Sequence, residues 1–235
     1  MNFSSGLPYT AEVYAAAMAD YNVFWFPGNA LLVLATAGAV ALAARGGSRR
    51  NNGAPARERA SITWMIGVFL AAGWLWVGAA HQLERMAALN FMAPYYGAAF
   101  AAEGALLVLC CVLRRHKRFD FRGDARGRVG LAVALFGLLV YPLLALASGV
   151  DWRAVPLAGL APEPTTIVTV GILLGAREKP PLYLFVVPLA WGAVAGVTAY
   201  LLAFPLDYAV PATIVIAAGM AVHARIKNPP PQPNR

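Results

Sequence analysis

Charge is scarce in this sequence: only 13% of its 235 residues are Asp, Glu, Lys or Arg. A soluble domain of this length needs about a quarter of its residues charged to cover its surface. Half of that, with 60% hydrophobic residues and a mean hydropathy of +0.60, implies that part of the solvent is lipid. Cysteine is nearly missing. The two present, Cys110 and Cys111, are adjacent within an apolar run, which excludes a structural disulfide framework. The first 23 residues hold no Lys or Arg, so the basic start of a cleavable signal peptide is missing and none is expected. Phosphate-binding glycine loops, zinc-protease helices and nucleophile elbows are lacking too. The last apolar run has no Lys, which removes a retinal Schiff base.

What the sequence does have is long apolar runs. Crossing ~30 Å of hydrocarbon at ~1.5 Å per residue takes about 20 apolar residues. Runs at 24–44, 62–82, 93–113, 129–147, 182–203 and 207–223 meet or approach this length. A further segment, 155–176, is interrupted by Pro156, Pro162 and Pro164. The net charge of +8 does not mark a nucleic-acid surface, because the basic residues lie between these runs, where Lys and Arg set membrane orientation. If all seven segments cross, 17 of the 19 Lys and Arg fall on one side and only Arg85 and Arg153 on the other. If the proline-broken segment does not cross, the division falls to 12 against 7. The charge pattern therefore predicts an all-α polytopic bundle of about seven spans, with the N-terminus outside and the C-terminus in the cytoplasm. Its organisation is expected to be an outer interfacial segment at 1–23, a helix bundle at 24–225, and a Pro-rich disordered tail at 226–235. Within the first segment Thr10 is placed to cap a short amphipathic helix carrying Val13, Tyr14, Ala17, Met18 and Tyr21 at helical spacing.

Several polar residues sit where lipid-facing chains tolerate few. Glu103 lies in the middle of the third run, a depth at which an ionisable group is costly and is a functional candidate by default. It reads either as a proton or cation site or as a hydrogen-bonding contact between helices. Tyr96, Glu103 and Cys110 share one helix stripe, flanked by Phe100 and Leu107. His81 closes the second run, as a ligand or proton carrier or as a solvated helix end. Because His223 lies at the opposite membrane side, a bis-His haem between them is not expected, and no cofactor is expected. The Cys110–Cys111 pair reads as a soft-metal site or as two small apolar residues. In the broken segment, Pro162 and Pro164 interrupt a helix, leaving Thr165 and Thr166 to cap a half-helix whose N–H groups face a cavity or a dipping outer loop. Glu163 precedes the break. Gly192 with Gly196, and Gly130 with Ala134, are close-approach pairs for helix packing.

PYTAEVY, YN with WFP, NFMAPYYGAAF, PTTIVTVGILL and PLAWG together resemble a family of uncharacterised bacterial integral membrane proteins, domain of unknown function 6064. The resemblance runs over most of the chain and implies a bacterial inner-membrane location but no activity. Two positions depart from the pattern it implies. Glu163 stands where the family carries Cys, and Glu103 where it often carries Gln, so the resemblance implies a hydrogen-bonding role at 103 that needs no charge. The expected function is a small ion or small-solute permease with Glu103, His81, Glu163, Thr165 and Thr166 along its path. The rival is a non-catalytic accessory or assembly subunit of a larger membrane complex. Enzymatic activity is not favoured, since the one acid and His grouping on the outer side (His81, Glu163 and Asp151) is thin. The expected surroundings are the lipid bilayer and a homo-oligomer or membrane-complex partner, without nucleic acid.

Overall fold

In a computed structural model, which describes residues 8–49, 56–113, 119, 121–179 and 181–227, the chain is a helix bundle with no strand among the described residues. The side chain of Cys111, the basic stretch 114–118 with His116, and the tail from 228 lie outside the described residues.

Among the described residues, nine α-helices follow in order. They are α1 (Ala11–Phe24), α2 (Gly28–Arg49), α3 (Ala56–Trp76), α4 (Ala93–Leu107), α5 (Ala125–Leu135), α6 (Tyr141–Ala147), α7 (Pro162–Gly175), α8 (Val186–Leu202) and α9 (Ala209–Lys227). α3 continues through a wider π-helical stretch, Val77–Met86, and α4 through Val108–Leu113. A third such stretch, Phe136–Val140, joins α5 to α6. Among the described residues, six helical segments are long and apolar enough to cross a membrane: Gly28–Arg45, Ala60–Met86, Ala93–Cys110, Ala125–Ala147, Leu182–Leu202 and Pro205–Ile226. The protein is therefore an α-helical membrane protein.

The seventh segment is built differently. All 14 residues of α7 are buried. A helix apolar all round belongs inside a bundle, and here Thr165, Thr166 and Thr169 are the only polar residues after Glu163. At ~1.5 Å per residue its 14 residues reach ~21 Å, short of the ~30 Å hydrocarbon. The rest of the distance is covered by non-helical backbone at 155–161, largely buried within protein. Irregular backbone at membrane depth is tolerated only in such a setting. The helix begins at Pro162, not at the threonines. Ala161 is the extended cap residue, and Pro162 and Pro164 occupy the first turn, where the N–H that proline lacks has no helical partner to lose. Thr165 is consequently a helix-interior residue. Its hydroxyl accepts the Gly159 N–H at 2.8 Å and donates to the Ala161 carbonyl at 2.6 Å, tying down the preceding turn. That turn needs glycine. Gly159 has φ of +91°, and an added Cβ would meet Thr36 Oγ1 at 2.6 Å.

α7 runs antiparallel to α5 and α6. Gly130 lies against Gly171 and Gly175, and Gly137 against Ile167 and Pro164. Trp74 on α3 donates from its indole N–H to Thr169 at 2.8 Å. Gly192 and Gly196 of α8 face Pro211 of α9.

The two ends of the bundle are distinct. At one end Asn22 donates to the carbonyls of Arg153 and Val155 at 2.7 and 3.1 Å, which joins α1 to the 152–155 turn. At the other end Phe121 N–H bonds Ala43 O at 2.9 Å, and Arg122 N–H bonds Gly175 O at 3.0 Å. The chain thus passes from one end to the other between residues 153 and 175, as the proline-broken segment was expected to do. At this second end Asp124 caps α5, accepting the Gly127 N–H at 3.0 Å and the Arg122 Nε–H at 2.7 Å.

Candidate functional site

α1 is capped by Thr10, whose hydroxyl accepts the Val13 N–H at 3.5 Å, and it packs across the first end of the bundle. Met18 and Tyr21 form its buried face; Val13, assigned to that face from its spacing, is exposed. The Tyr21 hydroxyl donates to Leu160 O at 3.2 Å and accepts the Trp76 indole N–H at 2.7 Å. Roofing the bundle in this way changes the setting of His81. It is 2% exposed and stands inside the π-helical stretch, not at a solvated helix end. Its Nε2 lies 3.2 Å from Met18 Sδ, and its ring meets the Tyr21 ring edge-on at 5.5 Å. His81 Nδ1 has no hydrogen-bond partner among the described residues. π-helical turns are rare and recur at functional sites.

Beneath α1 lie two adjoining cavities. The larger, about 300 Å³, has Tyr14, Tyr141, Ser148, Glu163 and Asp207 in its wall. The smaller, about 60 Å³, shares Tyr14, Glu163, Phe204 and Asp207 with it and adds Tyr9, His81, Tyr96 and Trp191. The Tyr141 hydroxyl donates to Asp207 Oδ1. Among the described residues, neither wall contains a Lys or Arg. Two acidic side chains, four tyrosines and a histidine therefore converge around space reaching inward from one end of the bundle.

Tyr96 links this space to Glu103. Seven residues further along the same helix, Glu103 sits ~10 Å deeper. Phe100, Glu103, Leu107 and Cys110 are all buried on one face, so the stripe faces inward. The rings of Tyr96 and Phe100 pack edge-on against Trp191 at 5.5 and 5.1 Å. Glu103 is 0% exposed, and both its carboxyl oxygens lack a hydrogen-bond partner among the described residues.

The sequence-derived candidates thus separate into groups. His81 and Glu163 come together at the smaller cavity, and Glu103 lies below it. Thr165 and Thr166 line neither space. Thr165 is occupied by its turn, and Thr166 Oγ1 is buried with no hydrogen-bond partner among the described residues. Asp151 caps the 152–154 turn by accepting the Arg153 N–H at 2.7 Å, apart from His81 and Glu163. Cys110 lies near the far end, its Sγ 2.7 Å from the Tyr183 hydroxyl. No group of three or more His, Cys, Asp or Glu among the described residues is placed to hold a metal ion. Asp207, Tyr141 and Tyr14 were missed from sequence. Asp207 had a signal, as an acid at the head of an apolar run. Tyr141 is 66 residues from it and gave none.

A protein-family model described as "Family of unknown function (DUF6064)" matches residues 11–229. No curated protein matches the chain, and no solved structure does.

Proposed function

The chain belongs to the DUF6064 family of unknown function, and we propose from its geometry that it is a small permease for a cation. The observation that carries this reading is the pair of adjoining cavities under α1, with Glu163 and Asp207 in both walls and, among the described residues, no Lys or Arg in either. Acidic groups in a low-dielectric wall attract cations and repel anions, and buried ionisable residues in membrane segments mark ion pathways more often than they stabilise. On this reading His81 and Glu163 form the outer part of the path and Glu103 its inner part. Thr165 holds the turn that precedes α7, and neither it nor Thr166 touches the ion. The membrane would be the bacterial inner membrane, with α1 outside and the C-terminus in the cytoplasm. Support for this orientation comes from the 17 Lys and Arg assigned to one side.

The test is flux in proteoliposomes, offering protons, sodium, potassium and a small alkylammonium in turn. One of them should move with the wild type, and Glu163→Gln and Asp207→Asn should each slow it by about tenfold, the effect of ~1.4 kcal/mol, with unchanged protein per vesicle. The accessory-subunit reading takes its place if none of the four moves and a stoichiometric partner co-purifies in mild detergent.

A further inference from the structure

A second, larger space lies on the flank of the same end. An apolar crevice of about 1250 Å³ is bounded by α1, the start of α2 and the 152–160 segment. It exceeds the roughly 300–1,000 Å³ of small-molecule sites. Its wall is mostly hydrocarbon and aromatic, with Phe24, Phe26 and Leu34 among the exposed side chains that face it. Its polar fringe is unusual. Arg85 and Arg153, the only two basic residues assigned to that side of the membrane, both line this one crevice. Arg153 is exposed and lies over the Trp152 ring, 5.2 Å from its centroid. Arg85 is half-buried, 4.0 Å from Asp20, which also lines the crevice. Two arginines and one aspartate leave a net charge of +1 at the mouth of an apolar trough.

We propose that this crevice is a specific site for one anionic phospholipid, its acyl chains against Phe24, Phe26 and Leu34 and its phosphate between Arg85 and Arg153. The chemistry fits on three counts. Guanidinium groups bind phosphate oxygens bidentately. Trp152 is of the residue type that sits at the headgroup level. The net charge of the mouth complements a singly charged headgroup and gives a zwitterionic one no advantage. The site stands apart from the acidic cavities and does not depend on what they conduct.

The test is native mass spectrometry of the full chain released from nanodiscs containing equal phosphatidylglycerol and phosphatidylcholine. The wild type should retain one phosphatidylglycerol in preference to phosphatidylcholine. Each basic group near an anionic headgroup is worth about fivefold, so Arg153→Ala should lose ~5-fold in retention and the Arg85→Ala/Arg153→Ala pair ~25-fold. Arg85→Lys/Arg153→Lys should keep most of it. Because Arg153 is exposed, its single variant keeps the test decisive should the double variant fail to fold. Equal retention of the two lipids by the wild type overturns the proposal. So does full retention of phosphatidylglycerol by Arg153→Ala, or a lipid-free dimer in which a second copy fills the crevice.

Discussion

A carboxyl group buried with no partner is a liability to the fold, and Glu103 has none among the described residues. Leaving a polar group unsatisfied in the interior costs about 1–3 kcal/mol. Replacing Glu103 with leucine, similar in size and apolar, should therefore leave thermal stability in detergent unchanged or raise it. The same variant should abolish cation flux if Glu103 belongs to the path. Glu103→Gln separates charge from hydrogen bonding, since flux that survives it would show that the position needs a polar group and not an acid. A loss of both abundance and stability in Glu103→Leu would instead make the residue a contact between helices. Glu103 could be found from sequence because it is the one carboxylate in the middle of a long unbroken apolar run. His81 was harder to read. It is followed by Gln82, Glu84 and Arg85, which look like a helix reaching water, and only the docking of α1, through Tyr21 and Asn22, buries it. Asp207 and Tyr141 meet across 66 residues of sequence, a pairing that periodicity cannot express.

At the scale of the element, the close pairing of α5 and α7 depends on glycine. A Cβ at Gly130 would lie 2.4 Å from the Gly175 backbone and 2.6 Å from the Gly171 carbonyl, so backbone must move. Gly130→Ala should cost the ~1–3 kcal/mol of stability typical of overpacking, read as a lower unfolding temperature. Gly219, in α9, has nothing within 4 Å of its Cβ position. Gly219→Ala should leave stability unchanged or raise it by ~0.5–1 kcal/mol, as replacing a mid-helix glycine does. Equal effects at the two sites would contradict the packing described for α5 and α7. The start of α5 adds a pH dependence. Asp124 is partly desolvated, which works against its charge, but the Gly127 N–H and the Arg122 guanidinium outweigh this and hold its carboxyl below the usual range. A depressed carboxyl contributes stability above the ordinary Asp value of about 3.9 and loses it as pH falls through the lower folded value. Asp124→Ala should thus cost about 1 kcal/mol at neutral pH, with the difference from wild type shrinking in thermal melts as pH falls below the ordinary Asp value. The prolines of α7 show how far local sequence carried. They marked an interruption correctly, but not that both would fit within a helical first turn, because that depends on Ala161 being held extended by the Gly159 turn.

For the molecule as a whole, the strongest constraint is the agreement between two unrelated observations. The basic residues divide 17 against 2 only if the 155–176 segment crosses. The hydrogen bonds of Asn22 to Arg153 and of Arg122 to Gly175 put the two ends of that segment at opposite ends of the bundle. Hydropathy alone favours six crossings, because α7 is short and its approach is not helical. The charge count and the tertiary bonds outweigh it, since buried irregular backbone completes the span. The consequence is directly measurable on a background lacking Cys110 and Cys111. Ser148→Cys, at the exposed end of α6 and in the wall of the larger cavity, should react in intact cells with a thiol reagent that does not cross membranes. Glu178→Cys, just beyond α7, should react only after the cells are opened. Reaction at both positions in intact cells would mean that α7 turns back and that the charge division is the weaker 12 against 7. Reaction at Glu178→Cys alone would invert the whole molecule, placing α1 in the cytoplasm. Glu163→Cys completes the experiment. If it reacts from the same side as Ser148→Cys, water reaches the acidic cavities beneath α1, as a cation path requires; if it stays inert while Ser148→Cys reacts, those cavities are dry and the permease reading fails even though the fold stands.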